Sequence, residues 1–160
     1  MTFRIFVALA ALDFSASSAW AAPDPVSAVD GFHQALVRND AAAATSLLAA
    51  DALIFEVGHV ERSAHEYASG HLAGDAALAA KTSTRYIGRR CLISAEMALV
   101  ATETLSTATG DGDVRIGTES MVLRWTGADW HIAHIHWSSR KLAAGKAAPA
   151  SQNVPPRCPA

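Results

Sequence analysis

Apolar and polar positions follow two different periods along the chain, helical in the first half and alternating in the second. Apolar residues recur at helical spacing over residues 25–38, which predicts an amphipathic helix. Asp40 can cap a second helix over residues 41–49. Ser63 and Glu66 have the spacing of a capping box and open a third helix. The first half is therefore predicted to be mainly helical.

Alternating apolar residues predict strands that bury one face. Strands are predicted at residues 53–57, 85–93, 98–107, 114–125 and 130–138. Four-residue loops rich in Gly and Asp join the last three of these strands as hairpins. Helices followed by an antiparallel meander predict an α+β fold, with the N-terminal helices packed on one face of the sheet.

The last hairpin predicts which side chains share a face. If Trp125 pairs with Trp130, the pairs that follow on the same face are Leu123 with Ile132, Met121 with His134, and Glu119 with His136. The same reasoning on the preceding hairpin brings Thr104 beside Glu119. A slip of one residue would move these side chains to the other face, so the grouping depends on the register. In this register the face has an apolar end and a polar end, which is typical of a ligand pocket.

Composition excludes several classes of protein. A length of 160 residues suits one domain, and a net charge of −2 provides no basic surface for nucleic acid. Two Cys are too few for a disulfide scaffold or a Cys-rich zinc module. Alanine supplies 35 residues of the 51% counted as hydrophobic, so large apolar side chains are modest in number.

Both ends of the chain differ in composition from its centre. Residues 1–22 are typical of a secretory signal peptide, with Arg4, an apolar run and an Ala19-Trp20-Ala21 cleavage pattern. We therefore expect an exported protein, periplasmic in a Gram-negative host, with no membrane attachment after cleavage. Residues 141–160 are predicted to be a disordered tail, which leaves residues 24–140 as the folded domain. An oxidising compartment permits a disulfide between Cys91 and Cys158, but the sequence leaves open whether they meet.

Three segments resemble the SnoaL-like branch of the nuclear transport factor 2-like superfamily. They are the GTESMVLR strand at residues 117–124, the WHIAHIHWS segment at residues 130–138, and the Phe-Glu…Val-Glu-Arg-Ser…Tyr…His-Leu pattern of residues 55–72. The second segment is also similar to the end of the calcium/calmodulin-dependent kinase association domain. The resemblance covers roughly residues 26–140. It implies an α+β cone, in which helices and a strongly curved antiparallel sheet enclose a cavity, and a homodimer formed through the outer sheet face.

The resemblance also implies a carboxylate or a histidine inside the cavity, and no clear counterpart of the steroid isomerases' Asp base is present. The candidate catalytic residues are His134 and His136, as proton-transfer groups, and Glu119, which could orient an imidazole. Further residues predicted to contact a ligand are Glu56, Tyr67, His71, Met121, Thr104 and Trp130.

Three functions remain open at this level. The first is binding of a small, partly apolar molecule, either alone or with cofactor-free acid/base chemistry of a lyase, isomerase or cyclase type. The second is periplasmic binding of copper or zinc through His134, His136 and Met121. The third is a non-catalytic oligomerisation module. The sequence contains no Gly-rich phosphate loop, nucleophile elbow or compact metal-ligand motif, so no cofactor is predicted.

Overall fold

The computed structural model describes residues 23–110, 112–143, 145–152, 154–155 and 157–158. The predicted signal peptide lies outside the described residues. Among the described residues, no helix is long and apolar enough to cross a membrane. The helices are α1 Pro25–Val37, α2 Ala41–Ser46, α3 Ala64–Ser69 and α4 Leu72–Ala79. The strands are β1 Leu48–Glu56, β2 His59–Glu61, β3 Thr82–Ile93, β4 Met97–Ala108, β5 Val114–Trp125 and β6 Trp130–Lys141.

The strands form one sheet in the order β2-β1-β6-β5-β4-β3. All neighbouring strands are antiparallel except β1 and β6, which run parallel. Irregular pairing in β1–β6, β3–β4 and β5–β6 adds local bends, because a bulge increases the twist of its strand. The α+β fold with helices on a mostly antiparallel sheet is confirmed.

Helix α1 begins and is anchored as its sequence predicts. The Asp24 side chain accepts a hydrogen bond from the Val26 amide at 2.8 Å and caps the first turn. The apolar stripe of α1 is buried against one face of the sheet, here called the inner face, where Val29 and Phe32 have no exposed surface. The helix therefore forms the roof over the inner face of the sheet.

The segment between α1 and α3 differs from the sequence prediction. Helix α2 ends at Ser46 rather than at residue 49, and β1 begins at Leu48 rather than at residue 53. Leu48 pairs with Ile132, and both residues are buried. Tertiary pairing with β6 thus extends the strand into an alanine-containing stretch whose local preference is helical. Strand β2, a three-residue hairpin partner of β1, was not predicted.

The register of the last hairpin is confirmed at its closed end and wrong beyond it. Trp125 pairs with Trp130 and Leu123 with Ile132, as predicted. The register then shifts by one residue, so that the next described pair is Val122 with His134. One extra residue in β6 sends every later side chain to the opposite face.

Because of this shift, the predicted pairs Met121–His134 and Glu119–His136 do not form. Met121 lies opposite Ile135 instead, and Glu119 lies opposite Trp137. The preceding hairpin differs by two residues, which places Thr102 rather than Thr104 opposite Glu119. A shift of two preserves the face, so Thr104 remains on the same side as Glu119.

The C-terminal segment, predicted to be a disordered tail, makes defined contacts with the domain where the structure describes it. Cys158 forms a disulfide with Cys91 on β3. The Gln152 amide donates a hydrogen bond to the Ile87 carbonyl at 2.5 Å, and the Cys158 amide lies 3.1 Å from an Asp24 carboxylate oxygen. The segment therefore connects the edge strand β3 to the start of α1.

Candidate functional site

Five residues form a row across the inner face of the sheet. In the order of the strands β3, β4, β5, β6 and β1, they are Arg89, Thr102, Glu119, Trp137 and Glu56. Each pairs directly with its neighbour, so their side chains project to the same side. Such a row of polar groups under a helical roof is the floor of a site rather than of an ordinary apolar core.

A cavity of about 630 Å³ opens over one end of this row. Its walls come from α1, α4 and the strands β1, β3, β4, β5 and β6. Its ionisable lining residues include Asp30, His33, Glu56, Asp75, Tyr86, Arg115 and Glu119. Gly117 and Thr104 also line it, and a side chain at Gly117 would lie 2.5 Å from Thr104 Oγ1, so glycine keeps this part of the floor open. The volume is in the range of pockets that bind small molecules.

The polar centre of the cavity is a pair formed by His33 on α1 and Glu119 on β5. His33 Nε2 lies 2.7 Å from Glu119 Oε2, and the same oxygen accepts a 2.7 Å hydrogen bond from Trp137 Nε1. The His33 contact is an ion pair between the imidazole and the buried carboxylate. Glu119 is only 7% exposed, and its Oε1 has no hydrogen-bond partner among the described residues. A buried carboxylate oxygen without a partner is rare in folded proteins and marks Glu119 as a group with a role beyond packing.

Charges around this pair favour its ionised form. Burial alone would raise the pKa of Glu119, but His33, the Trp137 hydrogen bond and Arg89 together hold that pKa below its ordinary value. Burial would likewise lower the pKa of His33, yet the carboxylates of Glu119 and Asp30 raise it above 6.5. The His33 side chain is 27% exposed and lines the cavity. The arrangement is therefore a carboxylate with an imidazolium that can face a ligand.

A second ion pair holds the neighbouring part of the row. Arg89 donates to both oxygens of Asp30, at 2.7 and 3.3 Å, and its side chain is only 2% exposed. The guanidinium also lies 4.6 Å from the centre of the Tyr86 ring. Burial and the charge of Asp30 raise the pKa of Tyr86. These contacts fix α1 relative to β3 and so position His33 above Glu119.

The opposite wall of the cavity carries two further carboxyl groups, Glu56 and Asp75. Tyr67, which is fully buried, donates a 2.7 Å hydrogen bond to Asp75 Oδ2. Burial raises the pKa of Asp75, and burial together with the charge of Asp75 raises the pKa of Glu56. The pKa of Tyr67 is raised well above its ordinary value, mainly because the side chain is buried. Carboxyl groups perturbed in this way are common in catalytic sites.

Behind this wall lies a pair that the cavity does not include. Buried Glu61 contacts His71 Nδ1 through its Oε1, and the His59 ring packs edge-on against His71 with the centroids 5.0 Å apart. The contact with Glu61 raises the pKa of His71. His71 thus acts on Glu56 and Asp75 through its charge, although it was predicted to contact the ligand itself.

The two histidines predicted to be catalytic lie on the outer face of the sheet. His134 Nδ1 is 2.7 Å from the Leu53 carbonyl, and Phe55 packs edge-on against the rings of His134 and His136. The register shift in β6 is the physical reason. The site predicted from these two imidazoles and Glu119 is therefore not assembled.

The predicted ligand contacts divide into three groups. Glu56 and Thr104 line the cavity, and Tyr67 supports it through Asp75. Met121 is fully buried in the core. Trp130 lies at a separate pocket of about 300 Å³ near the start of α1, where its Nε1 donates to the Pro23 carbonyl at 2.8 Å.

Sequence reasoning missed His33, Asp75, Arg89 and Tyr86. A usable signal existed for His33, which lies three residues after Asp30 on α1, beside the buried stripe. The four-residue spacing of Tyr67 and His71 also extends to Asp75. Nothing in the sequence marks Arg89 or Tyr86, because the irregular pairing between Tyr86 and Gly88 decides which β3 side chains point inward.

Metal binding finds no support in this arrangement. Within the part of the chain that the structure describes, no three His, Cys, Asp or Glu side chains are grouped so that they could hold a metal ion. The trio suggested by the sequence is divided by the sheet, with Met121 in the core and His134 and His136 on the outer face.

Comparison with known proteins identifies the fold and the family. The family model described as the SnoaL-like domain matches residues 26–141. A solved structure of a proposed ketosteroid isomerase from Shewanella frigidimarina is 28% identical, with a TM-score of 0.67, and the match covers 71% of this chain and 94% of that one. A comparison with curated proteins found no match.

Two more distant structures share the fold alone. The CaMKII hub of S. rosetta is 18% identical with a TM-score of 0.63, covering 75% of this chain and 98% of that one. A proposed scytalone dehydratase from Novosphingobium aromaticivorans is 12% identical with a TM-score of 0.60, covering 80% and 91%.

Proposed function

The chain belongs to the SnoaL-like domain family, and from this premise we propose that it performs cofactor-free acid/base chemistry on a small, partly apolar molecule in the 630 Å³ cavity. The reaction is of an isomerase, lyase or cyclase type. The observation that carries the proposal is the buried His33–Glu119 ion pair, in which an imidazole that lines the cavity is held by a carboxylate. The similarity to a proposed ketosteroid isomerase is consistent with this class of reaction.

In the proposed mechanism His33 acts on a carbonyl oxygen of the bound molecule. An imidazolium donor stabilises the negative charge that develops on that oxygen when a neighbouring C–H bond loses its proton. Glu119 keeps the imidazole charged and oriented, and Trp137 fixes the Glu119 carboxylate by its hydrogen bond. Burial of the Glu119 carboxylate strengthens these interactions, because the local dielectric constant is lower than that of water.

Binding of 2-naphthol tests this polar end directly, because the molecule combines an apolar ring system with one hydroxyl group. Its fluorescence distinguishes the neutral from the ionised form, so one titration reports affinity and protonation. We expect Glu119→Gln to weaken binding by about tenfold or more, the magnitude of a hydrogen bond to a charged group. His136→Gln, on the outer face, is the matched control and should leave the affinity unchanged. Equal affinities for all three proteins would contradict the proposal.

We also propose that the protein is exported. The Cys91–Cys158 disulfide supports this, since such bonds persist in oxidising compartments. The test is expression of the full chain in a bacterial host, followed by fractionation and mass measurement. A periplasmic protein that lacks about 22 N-terminal residues is expected from the signal-peptide pattern. An unprocessed cytoplasmic protein would contradict export.

Homodimer formation through the outer sheet face completes the proposal. Leu92 on β3 and Met97 on β4 are 71% and 45% exposed, and the pairing of Leu92 with Leu99 places them on that face. Sedimentation equilibrium should report a dimer, and Leu92→Glu should shift it toward monomer. A monomeric wild-type protein at tens of micromolar would refute the interface.

A further inference from the structure

Three large apolar side chains are exposed at the opening of the cavity. Val37, Val57 and Leu78 are between 56% and 83% exposed, and all three line the cavity. A side chain that lines a cavity and also meets solvent lies where the cavity opens, so these three residues define an apolar rim. Single exposed apolar residues are common on protein surfaces, whereas several gathered at one opening indicate a contact surface. The proposed mechanism does not use this rim.

The rim lies outward of the polar groups of the cavity on each of three elements. On α1, Val37 follows His33 by four residues and shares its side of the helix, about 6 Å further along the axis. On α4, Leu78 follows Asp75 by three residues, which is again about one turn. Val57 directly follows the last residue of β1. A molecule that extends from His33 to the solvent therefore passes the rim.

The backbone at Val57 has a conformation that valine disfavours. Val57 and Gly58 form the two-residue loop between β1 and β2, and their φ angles are 46° and 85°. Positive φ at both central residues is typical of a type I′ turn, in which Asn-Gly is a preferred sequence. A β-branched residue with positive φ is a strained outlier, and such outliers are concentrated at functional positions. Because the Val57 side chain is largely exposed, packing within the domain does not compensate for this strain.

The strand side of the opening carries polar groups that have partners within the protein. Thr82 Oγ1 donates to a backbone carbonyl of α4 at 2.8 Å. The hydroxyl groups of Thr84 and Ser106 share a hydrogen bond of 3.1 Å. Arg115 donates to Ser139 Oγ at 3.0 Å. Since these groups are engaged with one another, the surface that the opening offers to an apolar part of a ligand is the rim on the helix side.

We propose that the rim binds a linear hydrocarbon chain of the ligand, so that the molecule held in the cavity is an amphiphile. Its polar head lies beside His33, and its chain leaves the cavity across Val37, Val57 and Leu78. The inference deepens the proposed function and rests on it, because it names the ligand class of the same cavity. Continuity of the lining identifies the occupant, since the rim is the outer part of a wall whose inner part is the His33–Glu119 pair.

The expected gain in affinity for each methylene group follows from how much of the chain the rim covers. A fully buried methylene group improves affinity about fourfold. The rim covers one side of the chain only, so we expect a gain of about twofold per methylene group. A chain that continues beyond the rim gains nothing further. A homologous series should therefore show affinity that rises with chain length and then reaches a plateau.

Competition of 4-alkylphenols with 2-naphthol measures this dependence on the oxidised protein. The series from 4-methylphenol to 4-octylphenol, used below the micelle concentration, keeps one hydroxyl head and varies only the chain. We expect Leu78→Gln to weaken binding of 4-octylphenol by about threefold or more and to leave 4-methylphenol unchanged. Glutamine preserves the helix preference of this position. Ile93→Asn, which replaces an exposed apolar side chain outside the cavity lining, is the matched control and should behave as the wild type.

Val57→Asn separates binding from folding, because the two expected effects have opposite signs. Asparagine suits the left-handed conformation, so the melting temperature should rise by about 2 °C or more. The affinity for 4-octylphenol should nevertheless fall by about threefold or more, because an apolar contact is lost. A folding defect cannot produce higher stability together with weaker binding of the long chain alone.

Each outcome decides the inference separately from the proposed function. Equal dependence on chain length in the wild type, Leu78→Gln and Val57→Asn would overturn the rim as a chain site, while weaker 2-naphthol binding in Glu119→Gln would leave the proposed function standing. A lower melting temperature of Val57→Asn would also overturn the inference, since the valine would then serve stability.

The rim could instead contact a second copy of the chain or a lipid surface, and the same variants test both. Rim variants that alter sedimentation, or binding to phosphatidylglycerol vesicles, while the chain dependence stays that of the wild type would overturn the inference in favour of those occupants. Unchanged 2-naphthol affinity in Glu119→Gln would refute the proposed function, whatever the dependence on chain length.

Discussion

Loss of the Cys91–Cys158 disulfide should lower the stability of the domain by a large and calculable amount. The bond closes a loop between residues 67 positions apart. In the chain-entropy treatment, a loop of that length corresponds to about 4 kcal/mol at 25 °C. The C-terminal contacts with Ile87 and Asp24 depend on the same bond, so their loss adds to the effect rather than offsetting it.

Cys158→Ser is the preferred variant, because Cys91 lies within β3 and pairs with Val100, so that its replacement would also alter the sheet. Urea unfolding followed by tryptophan fluorescence measures the free energy of unfolding of wild type and variant. The wild type in reducing buffer is the matched control and should resemble the variant. A difference below about 1 kcal/mol, or two free thiols in the unreduced wild type, would refute the reasoning, given the usual range of disulfide effects.

Three further changes have defined expectations for stability. Because the pKa of His33 is raised on folding, His33 adds stability that is complete below pH 6.5 and is lost as the pH rises through the raised pKa. Because the pKa of Glu119 is lowered on folding, Glu119 adds stability that is complete above pH 4.5 and is lost as the pH falls through the lowered pKa. Urea unfolding at a series of pH values should therefore show the largest deficit of His33→Gln between these limits, and a deficit that is the same at pH 5.5 and pH 9 would contradict the pairing. Asp30→Asn should lower the free energy of unfolding by roughly 2–3 kcal/mol in the same assay, because it leaves buried Arg89 without its carboxylate partner. The partial exposure of Asp30 keeps the loss from being larger. A loss near zero would show that the pair is not buried in solution. Gly74→Ala, in the interior of α4 with open space at the Cβ position, should raise the melting temperature through a gain of about 0.5–1 kcal/mol, and a loss of stability would contradict the helical assignment.

Most of the fold followed from local signals, and the start of β1, where pairing with β6 prevails over a local helical preference, is the exception. The apolar stripe of α1, the Asp24 cap and the Ser63–Glu66 capping box all act within one or two helical turns, and the structure contains each of them. The alternation along β5 and β6 similarly predicted strands whose bounds differ little from the observed ones. These features were predictable because the residues that determine them are neighbours in the sequence.

The site was less predictable, because it depends on one irregularity in pairing. Extrapolation from Trp125 and Trp130 was correct as far as Leu123, and one extra residue in β6 then exchanged His136 for Trp137 beside Glu119. That part of β6 contains no glycine or turn residue from which the shift could be predicted. Glu119 lies on the predicted face, since its strand contains no such shift relative to β4. Its ion-pair partner His33 lies on a helix 86 positions earlier in the sequence.

Side-chain NMR of the seven histidines during titration with 2-naphthol tests the central claim most directly. Long-range ¹H–¹⁵N spectra of the imidazole rings assign each His by single substitution. The account predicts that more than half of His33 is protonated at pH 6.5, because its pKa is raised, and that its signals move on binding, while those of His134 and His136 stay in place. A neutral His33 that does not respond, together with shifts at His134 and His136, would contradict it.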